Sequence, residues 1–485
     1  MVRWRPGPAD LARILAEQNP WHANGSVPDE LAKTVERPLG RAIWRLLADP
    51  DAARRAHVIL GPRRVGKTTV LYQTVRHLLS AGFARDRLWW MRLDHPLLLR
   101  ESLGDLVRTV IAQSGAEQGR EAILFLDELV YAADWDLWLK TFHDEHWPVR
   151  ILATSSATAA LRDRHLESGI GRWDEHSMGP YQFSEYLDLV AEPTPFTIGD
   201  DLAASIDQLP RAGQSPARLE GHRRIFALVG GFPELLMSAA ADDESRILRS
   251  QQRLRDEAIE RAVYKDIPQS FGIDNPFLLE RLLYVLAGQV GGLTTASDLA
   301  AEMDGMSQQT VDRYTNYLER TFLVFRTLNY SGTESVAQRR GRKLYFVDGA
   351  VRNAALQRGL APLSDPVEMG LLLENLVASA LHGLALQSGQ RLFHWRERKT
   401  EVDFVLDHAT TPLAFEVASS VAHHTKGLAA ITARHSRLRG RTYLVAPDAV
   451  VRAATEESPG SIPLDALLVL CGRQAEAAMQ RRLEV

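Results

Sequence analysis

The stretch His57 to Val70, HVILGPRRVGKTTV, constrains the fold of this chain more than any other. Val58, Ile59 and Leu60 run into Gly61-x-x-x-x-Gly66-Lys67-Thr68, and Thr69, Val70, Leu71 and Tyr72 begin a helical pattern. A buried strand that feeds a glycine-rich loop and then a helix is the setting of a phosphate-binding loop. Gly61 and Gly66 allow positive φ and a close approach of backbone to phosphate. In the loop Pro62-Arg63-Arg64-Val65, successive N–H groups from Arg63 to Thr69, with the helix N-terminus, then face the negative charge. Lys67 is expected at the β/γ-phosphates and the Thr68 hydroxyl on Mg²⁺. The alternative is a glycine-rich turn that matches by chance.

A second stretch narrows that choice. Ile123-Leu124-Phe125-Leu126 reads as a strand buried on both faces and ends in Asp127-Glu128. Ligands of α/β sheets sit at the carboxyl ends of strands. Asp127 is therefore expected to hold Mg²⁺ through water, and Glu128 to orient and deprotonate an attacking water. A solvated helix cap is the competing reading of this acidic pair.

At 485 residues the chain has room for several domains, and 45% hydrophobic with 24% charged residues describes an ordinary globular protein. A net charge of −4 argues against a surface that is basic all over and leaves room for local basic patches. The single cysteine, Cys471, excludes a disulfide framework and a thiolate zinc site. The N-terminus lacks the apolar core of a signal peptide, and no eighteen apolar residues run together. A cytoplasmic protein without membrane contact is expected.

Around these two motifs the chain reads in order. Residues 1–50 show amphipathic segments broken at Asn19-Pro20-Trp21 and Asn24-Gly25, an N-terminal helical brace. Trp89 and Trp90 read as core filling in a second strand, and Val149 to Ala153 as a further strand running into Thr154-Ser155-Ser156. Ser155 is expected to sense the γ-phosphate, although hydroxyl residues are also common in turns. Arg172, after Gly169-Ile170-Gly171, is either a surface arginine or a guanidinium reaching a nucleotide of its own or a neighbouring subunit. Prolines and glycines between 191 and 219 mark a linker, and helical segments around Gly230-Gly231-Phe232-Pro233-Glu234 are expected to form a lid over the nucleotide.

From Asn275 the pattern becomes helix, short helix, a turn at Asp304-Gly305, a helix capped by Ser307, and two strands around a basic loop. That is the order of a winged helix, with Gln308, Gln309, Asp312, Arg313 and Asn316 on the recognition helix and Arg339, Arg340, Arg342 and Lys343 in the wing. The partner is double-stranded DNA or, alternatively, a protein. The final region shows a helix with Glu374 and Asn375, then strands that carry Asp403 and Glu416. Convergence of Glu374, Asp403 and Glu416 at one sheet edge would suit a divalent metal, and a solvated surface would also supply three acids.

The chain as a whole resembles the prokaryotic AAA-type ATPases that join a P-loop domain to a C-terminal domain of unknown function with a restriction-endonuclease-like fold. The stretches that carry the resemblance are AEQNPW at 16 to 21, GPRRVGKTTVLYQ at 61 to 73, FLDEL at 125 to 129, DWDLWLK at 134 to 140, TSS, and GR at 171 to 172. Further on they are GGFPEL at 230 to 235, YKDI at 264 to 267, LYFVDGAVR at 344 to 352, GLLLENLV at 370 to 377, EVDFVL and FEV. The resemblance implies an α/β protein in five parts: the brace at 1–50, the ATPase core at 51–190, linker and helical lid at 191–274, winged helix at 275–348, and the endonuclease-like domain at 349–485.

It also implies ATP as ligand and a nuclease ancestry for the last domain, with Glu374, Asp403 and Glu416 at the motif positions. The nuclease pattern continues acid-x-Lys, whereas here the run is Glu416-Val417-Ala418. Without an amine at 418, unless Lys399 or Lys426 replaces it, the site is expected to be degenerate. The expected function is an ATP-hydrolysing regulator coupled to DNA or a protein partner. An ATP-switched nuclease and a non-hydrolysing nucleotide-gated scaffold or effector of a paired toxin-like system are the alternatives, and an Arg172 acting across subunits would require an oligomer.

Overall fold

Five short strands form the first sheet, the first four largely apolar and the last, at the edge, polar: β1 (Ala56–Leu60), β2 (Leu88–Arg92), β3 (Ala122–Asp127), β4 (Val149–Ser155) and β5 (Trp173–Ser177). All pairings are parallel, in the order β2-β3-β4-β1-β5. Parallel strands need both faces covered, which is why β1 to β4 read as continuous hydrophobic runs rather than alternating ones. The computed structural model describes residues 7–49, 55–156, 171–238, 244–273, 275–303, 306–331 and 341–484. The chain divides into two compact units, residues 1–178 with 483–485, and residues 179–482.

In the first unit the N-terminal segment covers the edge of β2. Asn19 acts as a substitute strand residue: its Nδ2 donates to Trp90 O at 2.9 Å, and its Oδ1 accepts from Trp90 N at 2.6 Å. Trp21 is fully buried and donates from Nε1 to Leu88 O at 2.9 Å. An exposed strand edge invites pairing with other chains, and this segment occupies it. Trp89 and Trp90 are core residues, Trp90 stacking on Tyr72 at 4.9 Å between ring centres.

The second unit opens with helices, among them Phe183–Leu189, Ala217–Val229 and Glu244–Leu254, and it begins at Gly179, earlier than the core boundary expected at 190. Two motifs of the sequence meet here. Gly231 N donates to Asp348 Oδ2 at 2.6 Å, and a Cβ on Gly230 would come within 2.7 Å of both Asp348 carboxylate oxygens, so the close approach requires glycine. Helix Pro276–Gly288, β6 (Leu293–Thr294), helices Ala296–Glu302 and Gln308–Arg320, β7 (Val324–Asn329) and β8 (Arg342–Phe346) follow. Ser307 Oγ accepts from Thr310 N at 3.1 Å, the expected cap.

β6, β8 and β7 are antiparallel, yet they are not a separate sheet. β7 also pairs in parallel with β9 (Arg391–Glu397), aligning Leu328 with Phe393 and Asn329 with His394. β9 continues into β10 (Thr400–Asp407), β11 (Leu413–Val417), β12 (Thr442–Ala446) and β13 (Gly460–Pro463). One eight-stranded sheet thus crosses residue 348, where the sequence suggested a domain boundary. The helix Pro366–Ser388 is long and apolar enough to cross a membrane by length and composition alone. In this structure it packs on β8 to β11, and Asn375, fully buried, exchanges hydrogen bonds with the backbone of Phe346.

Candidate functional site

The phosphate loop joins the end of β1 to the helix Lys67–Ser80, and the glycines at both ends are dictated by geometry. A Cβ at Gly61 would lie 1.9 Å from Met178 O, and Gly66 holds φ at +97° as it caps the helix. Lys67 is buried and its Nζ donates to Gly61 O and Pro62 O, both at 2.8 Å, so its ammonium is folded back along the loop. Arg64 also has positive φ.

Across β4 from the loop, the Thr68 hydroxyl lies 3.0 Å from both oxygens of Asp127. Thr154 donates to Asp127 Oδ1 at 2.7 Å and accepts from Glu128 N at 3.0 Å. Ser156 donates to Glu128 Oε2 at 2.9 Å, and Arg63 Nη1 stands 3.7 Å from Glu128 Oε1 while Nη2 donates to Tyr131 at 3.2 Å. Burial, with Glu128 beside it, pushes the Asp127 carboxyl up to about 6, against the pull of Thr154, Thr68 and Lys67. Glu128 itself takes the left-handed conformation, φ 58°, where the chain turns off β3.

Two expectations change here. The hydroxyls on the carboxylates belong to Thr154 and Ser156, the neighbours of Ser155, because strand side chains alternate between faces. Ser155 is fully buried, and its carbonyl accepts from Gly61 N at 3.3 Å. Arg172 lies beside the start of β1, its carbonyl accepting from Ala56 N, whereas the phosphate loop leaves the other end of that strand. Its guanidinium pairs with Asp144 at 3.0 Å. Arg172 is therefore at the opposite edge of the sheet from its own chain's loop.

In the second unit, Gln308, Gln309, Asp312 and Arg313 are exposed along the first turns of their helix, and Arg342 pairs with Asp312 at 3.6 Å. Asn316 accepts from Arg326. Arg339 and Arg340 lie outside the described residues, as does the turn at 304–305.

Lys343 departs from its expected role. Its side chain is 2% exposed, and its Nζ touches Glu401 and lies 3.4 Å from Asp403 Oδ1 and 3.7 Å from Glu374 Oε1. It is thus no wing residue for phosphates, but the centre of an acidic cluster. Burial works against its charge, and Asp403, Glu374 and Glu401 more than offset that, holding the ammonium above its usual range. Tyr345, two residues along β8, donates to Glu374 Oε1 at 2.9 Å.

The acids at 374, 403 and 416 are brought to one region, but among the described residues no three Asp, Glu, His or Cys side chains are grouped to hold a metal ion. Ala418 directly follows β11 and sits in an apolar cluster, and Lys399 and Lys426 are exposed. The amine missing at 418 has a counterpart on β8 instead.

Residues 53–187 match the family model of an AAA domain. Residues 222–361 match a domain of unknown function, DUF8612, and residues 369–464 another, DUF4143. The chain is 26% identical over 357 residues to an uncharacterized protein of Methanocaldococcus jannaschii, covering 72% of each chain. With an uncharacterized protein of Haemophilus influenzae it shares 22% identity over 374 residues, 76% of this chain and 83% of that one. Similar solved structures include a Walker-type ATPase of Pyrococcus abyssi (14% identity, 64% of this chain and 94% of that one, TM-score 0.36). Another is the Aeropyrum pernix ORC2 protein (13%, 67% and 93%, TM-score 0.34).

The AAA domain has the atoms that Mg²⁺ needs. Thr68 Oγ1 and both Asp127 oxygens are hard ligands already within hydrogen-bonding distance of each other, and Mg²⁺ with a nucleotide takes one or two such protein ligands beside phosphates and waters. The domain's Thr154 and Ser156 were missed because Thr-Ser-Ser was read as a turn. Strand alternation would have separated 154 and 156 from 155. Lys343 was hidden for a different reason: only the pairing of β7 with β9 reveals which strand lies over the acids.

Proposed function

We propose that the chain is a Mg²⁺-dependent ATPase whose nucleotide state controls what its second unit binds. One observation carries the reading: the hydrogen-bonded chain Thr68–Asp127–Thr154–Glu128–Ser156 at the carboxyl ends of β3 and β4, beside a loop with Lys67 at its helix start. Mg²⁺, when bound by Thr68 and Asp127, supplies charge neutralisation on the phosphates. Lys67 would exchange the carbonyls of Gly61 and Pro62 for phosphate oxygens. Glu128, fixed through its backbone N–H and Oε2, accepts the proton of the attacking water at Oε1, and Thr154 ties the Asp127 carboxylate to the Glu128 backbone.

For the second unit, the order of three helices and three antiparallel strands supports a winged helix, with duplex DNA as its partner. Gln308, Gln309 and Arg313 are the exposed side chains suited to base edges. The endonuclease-like part acts in this reading as a binding module and not as a nuclease. Steady-state ATP hydrolysis with Mg²⁺, with and without duplex DNA, tests the proposal. Lys67→Ala should lose nucleotide binding, and Glu128→Gln should bind ATP but turn over at least a hundredfold more slowly, the general order for losing a catalytic base. Wild-type turnover no faster than Glu128→Gln would remove the ATPase reading. Turnover indifferent to DNA would replace DNA with a protein partner.

A further inference from the structure

The nuclease-like resemblance calls for a divalent metal among Glu374, Asp403 and Glu416, and the side chains present do not fit one. Each carboxylate has a different commitment. Glu374 Oε1 accepts from Tyr345, Glu401 Oε2 pairs with Arg396 at 3.3 Å, Asp403 Oδ2 accepts from Val417 N at 2.9 Å, and Glu416 Oε1 accepts from His423 at 2.9 Å. Glu374, Glu401 and Asp403 also face one buried ammonium, that of Lys343. The chain bends to make this possible. The pairing of β10 with β9 slips between Val402 and Val405, a bulge that re-aims Asp403, and β8 reaches the cluster only because β7 joins β9.

We propose that Lys343 is the permanent cation of this cluster and stands where a divalent metal would otherwise stand. An ammonium and a divalent ion compete for the same carboxylate oxygens, and the ammonium is tethered beside them by the strand that carries it. It brings one charge where a metal would bring two. Among the described residues, Glu416 Oε2 is buried with no hydrogen bond of good geometry and is the acceptor left over. The consequence is a C-terminal module whose acidic site holds β8, β10 and the helix Pro366–Ser388 together without taking up metal. Removing the lysine should free three carboxylates, with the spare oxygen of Glu416 beside them, for an oxygen-loving divalent ion.

The test uses the full chain without nucleotide, titrated with Mn²⁺ by calorimetry and followed by thermal unfolding in EDTA and in Mn²⁺. The proteins are wild type, Lys343→Met, Asp403→Asn and the double variant. Any ion held at Asp127 is common to all four and drops out of the comparison. Lys343→Met should gain one Mn²⁺ site over wild type, and its unfolding temperature, lowered in EDTA, should recover in Mn²⁺. The double variant, with less buried charge, should fold in EDTA and lose the added site. A Mn²⁺ site in wild type that Asp403→Asn abolishes would overturn the proposal, as would a folded Lys343→Met with no added site. Should Lys343→Met fail to fold, wild type against Asp403→Asn decides alone: equal Mn²⁺ uptake supports the lysine as resident cation, and a loss in Asp403→Asn refutes it.

Discussion

Arg63 and Glu128 form an ion pair beside the phosphate loop, 3.7 Å apart and both largely buried, and under the proposed function Glu128 is the base that this contact restrains. A triphosphate in the loop offers Arg63 a stronger partner, since charge-assisted bonds to phosphate are among the firmest a guanidinium makes. Arg63→Ala should therefore raise KM for ATP about tenfold, the loss of one charged hydrogen bond, while kcat at saturation stays level or rises. Steady-state kinetics reads both. A fall in kcat as large as that of Glu128→Gln would place Arg63 in the chemical step and not in restraint of the glutamate. The residues that were legible in sequence are those with a fixed place in the loop, Gly61, Gly66, Lys67 and Thr68, together with Asp127 and Glu128. Thr154, Ser156 and Lys343 depend on register across strands, which local spacing does not carry.

Among the elements, the sheet of the first unit was readable because buried parallel strands leave continuous apolar runs, and both motif edges fall at strand ends. The N-terminal brace was readable as helices but not as the cover of β2, because that work is done by side chains, Gln18, Asn19, Trp21 and His22, on the strand's backbone. Asn19→Ala should leave the N–H and C=O of Trp90 without those partners, costing about 1–3 kcal/mol for a buried unsatisfied group. Urea unfolding measures it, and an unchanged midpoint would show that water replaces the amide. The strands on either side of the basic loop and those that carry Asp403 and Glu416 were each legible by pattern as strands. Their union was not, because parallel pairing of β7 with β9 links segments that share no local signal.

For the whole molecule, that union means the second unit is built as one piece. A chain ending at residue 365 keeps β7, β8 and Lys343 but loses β9, β10 and every carboxylate around the ammonium. Their loss opens Lys343 and the apolar side chains of β7 and β8 to water, so this truncated chain should lose protease resistance in residues 179–365 while residues 7–178 keep theirs. Limited proteolysis with mass mapping shows which. Resistance throughout would mean that the wing folds without the last strands.

The parallel pairing also sets a timetable during synthesis. β7 leaves the ribosome well before β9, and in that interval its outer edge, with Thr327, Asn329 and the strand's backbone groups, has no partner from its own chain. Parallel, long-range pairing forms late, and an open strand edge is where nascent chains join one another. Slow translation over residues 330–390 would lengthen that exposure, and the cell's means of guarding it become part of how much of this protein reaches its folded form.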